Sequence, residues 1–321
     1  MRSLPSTICS PADPLVGLAV TGRTPEGHAF PVRLDRPLAE GGLGVVYAAR
    51  SLADGRPLAV KVLQQRHAGD PGIAGRFERE IRYAFRVCHP NLVAACAAGR
   101  LDDGRPFLVM ERLEGLTLGA LVRAEGPLAI ARVLRLGGQI LAGLGALHEA
   151  RIVHRDLQPD NVFVAQGDRA VILDLGFAQE PGVDLGDGVT PDSPGSLVGT
   201  LAFMAPEQAT RGRAITARSD LFAVAVLLYH ALSGQLPFRG QGEEEMLVSV
   251  VRAAPVPLRR ARRDAPAALD AVLMRALAKH PDARFASAPE MRAALARIDF
   301  EGGPVRAARA PRSRRPAARA A

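Results

Sequence analysis

Between residues 30 and 110 the apolar positions come in short runs, Pro31 to Leu38, Val45 to Ala49, Leu58 to Leu63 and Phe107 to Met110, separated by breaks that contain Gly, Asp or Pro. Runs of that length between turn residues predict strands. One stretch in this region, Ala74 to Val87, has the helical period instead. At about 100° per residue it gathers Phe77, Ile81, Ala84, Phe85 and Cys88 on one face and Arg76, Glu78, Arg79, Arg82 and Arg86 on the other. Beyond Gly115 the helical period dominates, in Ala129 to Ala150, Leu221 to Ser233, Ala265 to Ala278 and Ser287 to Ile298. A hairpin candidate lies between the first two of these, Val162 to Val164 and Ala170 to Leu173, around a Gly167-Asp168 turn. The pattern predicts an α+β chain with two lobes, a small β-rich N-lobe over about 30–110 and a larger helical C-lobe over about 115–298.

The two ends break this pattern. Residues 1–29, rich in Pro, Gly, Ser and Thr without a sustained period, read as an irregular leader, so folding is expected to start near Phe30. Residues 299–321 hold Arg306, Arg309, Arg312, Arg314, Arg315 and Arg319, which account for most of the net charge of +8. The body is therefore nearly neutral and gives no ground for a nucleic-acid partner. A Pro, Ala and Arg composition buries too little apolar surface to fold, so this segment reads as a disordered basic tail, either merely solvated or available to an acidic partner. The longest uninterrupted apolar stretch, Leu221 to Tyr229, is about half the ~20 residues of a membrane-spanning helix, and prolines at positions 5, 11 and 14 interrupt any export signal. A cytoplasmic chain with no membrane span is the expectation. Cys9, Cys88 and Cys96 are odd in number and lack a CxxC pair, which argues against a disulfide framework or a zinc site and leaves them as expected buried thiols.

Chemistry enters with four motifs. The segment Leu38 to Tyr47 places Gly41, Gly42 and Gly44 between two predicted strands, where a backbone turn can approach phosphates; a plain hairpin would use the same residues. Lys61 stands in mid-strand on the face of Ala59 and Leu63, a place that a half-exposed strand would also allow. Of the 41 Lys and Arg residues only Lys61 and Lys279 are lysine, so a compact point charge has been kept at these two places amid arginine. Glu80 falls inside the apolar arc of the predicted helix. A carboxylate facing a core is costly unless it is paired, and the nearest lysine in sequence is Lys61; a watered edge position is the alternative. Finally, His154 to Asn161 reads His-Arg-Asp-Leu-Gln-Pro-Asp-Asn between a predicted helix and the hairpin, and Asp174-Leu175-Gly176 follows the hairpin. Asp156, Asn161 and Asp174 together supply oxygen ligands for Mg²⁺ and a carboxylate to orient a hydroxyl.

With these motifs the sequence resembles the eukaryotic-like (Hanks-type) protein kinase family, and within it the bacterial serine/threonine kinases, over about residues 30–298. Further signatures stand in family order: His89-Pro90-Asn91, Met110-Glu111, Gly199-Thr200, Ala205-Pro206-Glu207, Ser219-Asp220 and Arg284. The resemblance implies a bilobal protein-kinase-like fold, ATP with Mg²⁺ (or Mn²⁺), and a protein substrate with a Ser or Thr acceptor. It implies that Lys61 holds the α- and β-phosphates and pairs with Glu80, that Asp174 and Asn161 bind the metal, and that Asp156 accepts or orients the hydroxyl proton. Gly41, Gly42 and Gly44 would lie over the phosphates. Leu38, Val46 and Ala59 would frame the nucleotide, with Met110 behind the adenine and Glu111 and Leu113 meeting it through their backbones. Glu207 would tie to Arg284. Arg155 would receive a phosphate on an activation segment running from Asp174 to Glu207, for which Thr190, Ser193 and Ser196 are candidate self-phosphorylation sites. Pro159 and Thr200 look like the serine/threonine subfamily.

Four positions depart from the family pattern: Ala39 for the first loop glycine, Gln158 for the catalytic-loop lysine, Leu175 for the middle phenylalanine, and Ala225 where a helix glycine is common. Gln158 weighs most, because the family's lysine neutralises charge on the phosphoryl group in transfer. Three readings follow: a serine/threonine protein kinase slowed by Gln158, an ATP-binding pseudokinase scaffold, and a small-molecule phosphotransferase of related fold. Gly199-Thr200 and Ala205-Pro206-Glu207 speak against the last, since they resemble a peptide-docking segment.

Overall fold

The structure is a computed structural model that describes residues 13–180, 201–210 and 214–299. Its first lobe is built from β1 (Ala19–Arg23), β2 (Ala29–Glu40), β3 (Gly44–Ser51), β4 (Pro57–Leu63), β5 (Ala95–Arg100) and β6 (Pro106–Glu111), in the spatial order β1-β2-β3-β4-β6-β5. All neighbours are antiparallel, and β1 meets β5 at Arg23 and Ala98, so the sheet closes into a barrel and β5 has no bare edge. Val32, Leu34, Tyr47, Val60, Phe107 and Val109 fill its interior.

The barrel corrects the expectation of an irregular leader through residue 29. Asp13 accepts a 2.7 Å hydrogen bond from the Tyr47 hydroxyl, Leu15 is buried, and β1 pairs with β2 over five residues. The sequence hid this strand because it is short and carries a glycine. That glycine lets the strands approach closely: a Cβ on Gly22 would lie 3.1 Å from the Ala97 Cβ and 3.2 Å from the Ala98 carbonyl oxygen, so either would have to give by a few tenths of an ångström. β5 escaped notice as well, since Ala-Cys-Ala-Ala-Gly-Arg has no β-branched residue and is a strand only through its partner β6.

Helix α1 (Pro71–Arg86) packs beside the barrel. The Asp70 carboxylate accepts from the amides of Gly72 and Ile73, and Pro71 occupies the first turn, where no amide donor is missed. Its inward face holds Arg76, Phe77, Glu80 and Tyr83, so Arg76 is buried where the helical wheel put it on the solvent side. Cys88 is exposed and Cys96 half-buried, contrary to the expected buried thiols; Cys9 lies outside the described residues.

The second lobe begins with β7 (Gly115–Thr117), which pairs with the hairpin of β8 (Val162–Ala165) and β9 (Arg169–Ile172). The hairpin turn places Gly167 and Asp168 at φ 73° and 58°, and Arg132 and Arg135 hold the Asp168 carboxylate from α3 (Ile130–Glu149). Around α3 stand α2 (Leu118–Glu125), α4 (Ala217–Ser233), α5 (Glu243–Arg252), α6 (Leu258–Ala261), α7 (Ala267–Ala276) and α8 (Ala288–Ala296). α4 is buried on every side from Ser219 to Tyr229, the mark of a central core helix. α3 is long and apolar enough to cross a membrane, yet Val133, Leu136, Ile140, Leu144 and Leu147 are packed into the lobe's core.

Candidate active site

β4 aims Lys61 at α1. The ammonium lies 2.7 and 2.9 Å from the two Glu80 oxygens and 2.8 Å from Asp174 Oδ2, beyond the end of β9. Burial opposes the charge on Lys61, but Asp174 and Glu80 outweigh it and hold its pKa above the ordinary lysine value. Glu80 is pushed up to about 7, first by burial and then by Asp174, against the pull of Lys61. For Asp174 burial also acts upward, yet Lys61 and the Gly176 amide hold it below the usual carboxylate range. Asp174 adopts φ 57°, and its Oδ1 accepts from the Gly176 amide at 2.9 Å. A Cβ at position 176 would stand 2.9 Å from that same oxygen and 3.5 Å from Glu80 Oε2, so only glycine fits there without a shift. Leu175 fills an apolar slot in the core of the second lobe.

The loop carrying Asp156 is fastened from α4. Asp220 Oδ2 accepts from the His154 amide at 2.9 Å and lies 2.8 Å from His148 Nε2, and Oδ1 accepts from the Arg155 amide at 2.9 Å. These contacts hold Arg155 at φ 70°, a left-handed backbone that a non-glycine residue adopts only when its surroundings fix it. The Asp156 amide approaches His154 Nδ1 while His154 Nε2 faces the Leu173 carbonyl, which fixes the proton on Nε2. Asn161 Nδ2 donates to the Asp156 carbonyl at 2.7 Å and to its Oδ2 at 2.9 Å. Gln158 Nε2 stands 3.3 and 3.4 Å from the two Asp156 carboxylate oxygens. Burial drives Asp156 up to about 6 with help from Asp174, while His154, Asn161 and Gln158 act against it.

Glu80 and Asp174 thus share one ammonium, and Asp156 feels the charge of Asp174 without reaching that ammonium, which leaves the site with surplus negative charge. Burial first, and the charge of Asp174 after it, make Glu80 and Asp156 hold protons more tightly than usual. A hard divalent cation would relieve that surplus, and the available donors are oxygens, the Asp174 carboxylate and the Asn161 Oδ1 left by the amide's two donated bonds. Among the described residues no cluster of three acidic, His or Cys groups could cage a metal unaided. The donor set therefore fits Mg²⁺ completed by phosphate oxygens.

The glycine turn lies above. The Gly41 amide bonds the Gly44 carbonyl at 2.9 Å, Gln64 Nε2 reaches the Gly41 carbonyl at 3.0 Å, and Arg66 and His67 meet the Gly42 carbonyl. A Cβ on Gly44 would lie 2.8 Å from the Val62 carbonyl oxygen, so the strand and the loop can meet only at glycine. Val46 pairs with Lys61 across β3 and β4, Ala59 pairs with Met110 across β4 and β6, and Leu38 lies half-buried late in β2. Glu111 ends β6 with its carboxylate on Arg169 at 2.7 Å and on the Ala94 amide at 3.1 Å, and Leu113 follows half-buried. Glu207 and Arg284 form a buried two-armed pair, both arms at 2.7 Å, with the Ser219 hydroxyl also donating to Glu207. Thr200, Thr190, Ser193 and Ser196 lie outside the described residues. Sequence reasoning missed His148 and gave Asp220 no role. The signal was a carboxylate at the head of a wholly apolar helix, which demands partners.

The family described as protein kinase domain matches residues 32–293. The chain is 36% identical over 278 residues to the serine/threonine-protein kinase PknB of Mycolicibacterium smegmatis, covering 86% of this chain and 44% of that protein. It is 36% identical over 279 residues to the serine/threonine-protein kinase pkn3 of Myxococcus xanthus, covering 85% and 51%. The chain thus spans about half the length of these relatives. Among solved structures, the Mycobacterium tuberculosis PknI kinase domain matches with a TM-score of 0.63 at 26% identity, over 83% of this chain and 94% of that one.

Proposed function

Because the chain belongs to the protein kinase domain family, we propose that it is an ATP-dependent serine/threonine protein kinase, transferring the γ-phosphoryl group to protein hydroxyls. The observation that carries this reading is the joining of Lys61 to both Glu80 and Asp174 beside the Asp156 and Asn161 pair. Phosphoryl transfer needs positioning and charge stabilisation more than covalent chemistry, and these residues provide both.

In this reading Gly41, Gly42 and Gly44 cover the phosphates, Lys61 holds the α- and β-phosphates, and Glu80 keeps the ammonium oriented. Leu38, Val46, Ala59 and Met110 enclose the adenine, and Glu111 and Leu113 offer it backbone groups. Asp174 and Asn161 would hold Mg²⁺, which supplies charge neutralisation on the phosphates. Asp156, ionised above about pH 6, orients the acceptor hydroxyl and takes its proton. Gln158 donates a neutral hydrogen bond where a cation would be stronger, which makes the enzyme slow. The reading includes self-phosphorylation at Thr190, Ser193 or Ser196, received by Arg155.

Purified protein incubated with γ-labelled ATP and Mg²⁺ should incorporate label into Ser or Thr, and Asp156→Asn should abolish incorporation. Wild-type protein that binds ATP but transfers no phosphate to itself or to a protein acceptor would overturn the reading.

A further inference from the structure

Helix α1 touches the stretch after Asp174 at two places and reaches Asp174 itself through Lys61. At its middle Glu80 reaches Asp174 through Lys61. At its C-terminal end Arg86 Nη1 lies 2.5 Å from Glu180 Oε1, while Nη2 donates to the Ala150 carbonyl at 3.0 Å. One turn before Glu80, the Arg76 guanidinium sits over the Phe177 ring, 4.7 Å from its centroid. From the other side, Gln179 and Val153 exchange two backbone hydrogen bonds of 2.9 and 3.0 Å, one residue before the His154 to Asn161 loop.

We propose that Arg76, through its stack on Phe177, is a positioning residue for Asp174, an inference that rests on the kinase reading above. Asp174 holds a left-handed backbone that its own Oδ1 supports through the Gly176 amide, so the direction of the carboxylate depends on where the chain beyond Gly176 is held. Gly176 stands between Asp174 and Phe177 and lets the chain swing. The ring of Phe177 is the first large group beyond that glycine, and it is half-buried. A guanidinium on its face, itself buried, anchors it to α1 one turn before Glu80 and on the same inward face. The stack therefore couples the place of α1 to the direction of the Asp174 carboxylate. Losing it frees the segment to swing while the adenine contacts and the glycine turn stay as they are. The fraction of nucleotide-bound molecules with Asp174 aligned falls, and turnover falls with it.

Two readouts separate this inference from the kinase reading. The chain has no tryptophan, so Phe177→Trp installs a single fluorescent reporter in a ring that still accepts a cation. Without any nucleotide, adding Arg76→Ala to Phe177→Trp should red-shift its emission and raise its quenching by acrylamide, and Arg76→Lys should fall between. In the kinase assay, Arg76→Ala should lower kcat by about three- to thirtyfold, the range a cation on an aromatic face supports. The half-saturating Mg²⁺ concentration should rise and the KM for ATP should stay within about twofold. Phe177→Leu breaks the stack from the other side and should give the same split, which guards against Arg76→Ala failing to fold. If both variants kept wild-type kcat and Mg²⁺ dependence, or if the reporter were indifferent to Arg76, the positioning role would be wrong. A wild-type protein without transferase activity would sink the kinase reading instead, leaving the fluorescence result to decide the stack.

Discussion

Gln158→Lys should both speed the enzyme and shift its acid limb. Gln158 Nε2 lies 3.3 and 3.4 Å from the Asp156 oxygens, long for an amide hydrogen bond, and Asp156 stands at about 6. A carboxylate that acts as acceptor works only when ionised, so wild-type kcat should fall as pH drops through about 6. An ammonium in the amide's place puts a full opposite charge within ~4 Å, which lowers a carboxylate by about one to three units. The acid limb of the variant should then lie near pH ~3–5, with activity retained where the wild type has lost it. Turnover at neutral pH should also rise. Loss of one well-placed donor in an enzyme costs roughly 10²–10³ in rate, and a neutral amide recovers part of that, so a gain of about tenfold is the expected size. The KM for ATP should change much less, since the added charge acts on the transferring group. Steady-state kcat measured from pH 4.5 to 8 under fixed Mg²⁺ tests this directly. An unmoved acid limb together with unchanged or lower turnover would mean that an arginine already supplies the cation, and the account of position 158 would have to go.

Arg284→Ala should destabilise the second lobe severely. It strips a buried carboxylate of both its arms, a change that typically costs about 3–5 kcal/mol, or roughly 10 °C in Tm for a domain of this size. Burial acts upward on Glu207, but Arg284 and Ser219 hold it below the ordinary carboxylate value. The pair's contribution is therefore complete above that ordinary value and is lost as pH falls through the lower folded one, so thermal melts of wild type and variant should converge toward strong acid. A fall of less than about 3 °C at neutral pH would contradict the assignment. Removal of residues 1–24 should also lower Tm, because it takes away buried Leu15 and Val20, worth about 3–6 kcal/mol together, and bares the β5 edge. Unchanged melting of the shortened protein would show that β1 is an ornament of the barrel.

What the sequence disclosed and what it hid follow from range. Glu80 was legible because one acid inside a 3.6-residue apolar arc conflicts with burial, and of the two resolutions the sequence left open, a watered edge or Lys61, the structure has the pairing with Lys61. The meeting of Asn161 with Asp156 and of Lys61 with Asp174 was legible because residue type and spacing mark them out. Arg76 was not, because a helical wheel fixes the direction of Cβ and says nothing of a long guanidinium that finds an aromatic ring 101 residues later in the chain. β1 and β5 were hidden for a different reason: β1 is short and carries a glycine, β5 has no β-branched residue, and each is held as a strand by its hairpin partner, β2 and β6.

The retention of lysine at two positions amid arginine finds its physical ground in the same geometry. The Lys61 ammonium has three N–H groups and spends all three, on Glu80 Oε1, Glu80 Oε2 and Asp174 Oδ2, within 2.9 Å. Those acceptors converge on a point, from two elements and from different directions. A guanidinium could not do this: its fork would match one carboxylate in its plane and leave the other facing the edge of a wider group. Lys279 meets a similar demand. Its ammonium caps the Ser249 and Val250 carbonyls near the end of α5 and stands 3.6 Å over the centroid of Phe238, while burial and the nearby Arg284 lower its pKa to about 8. In both places the cation is enclosed on several sides by acceptors or a ring face at contact distance. A compact charge fits such an enclosure, and a planar one would have to widen it.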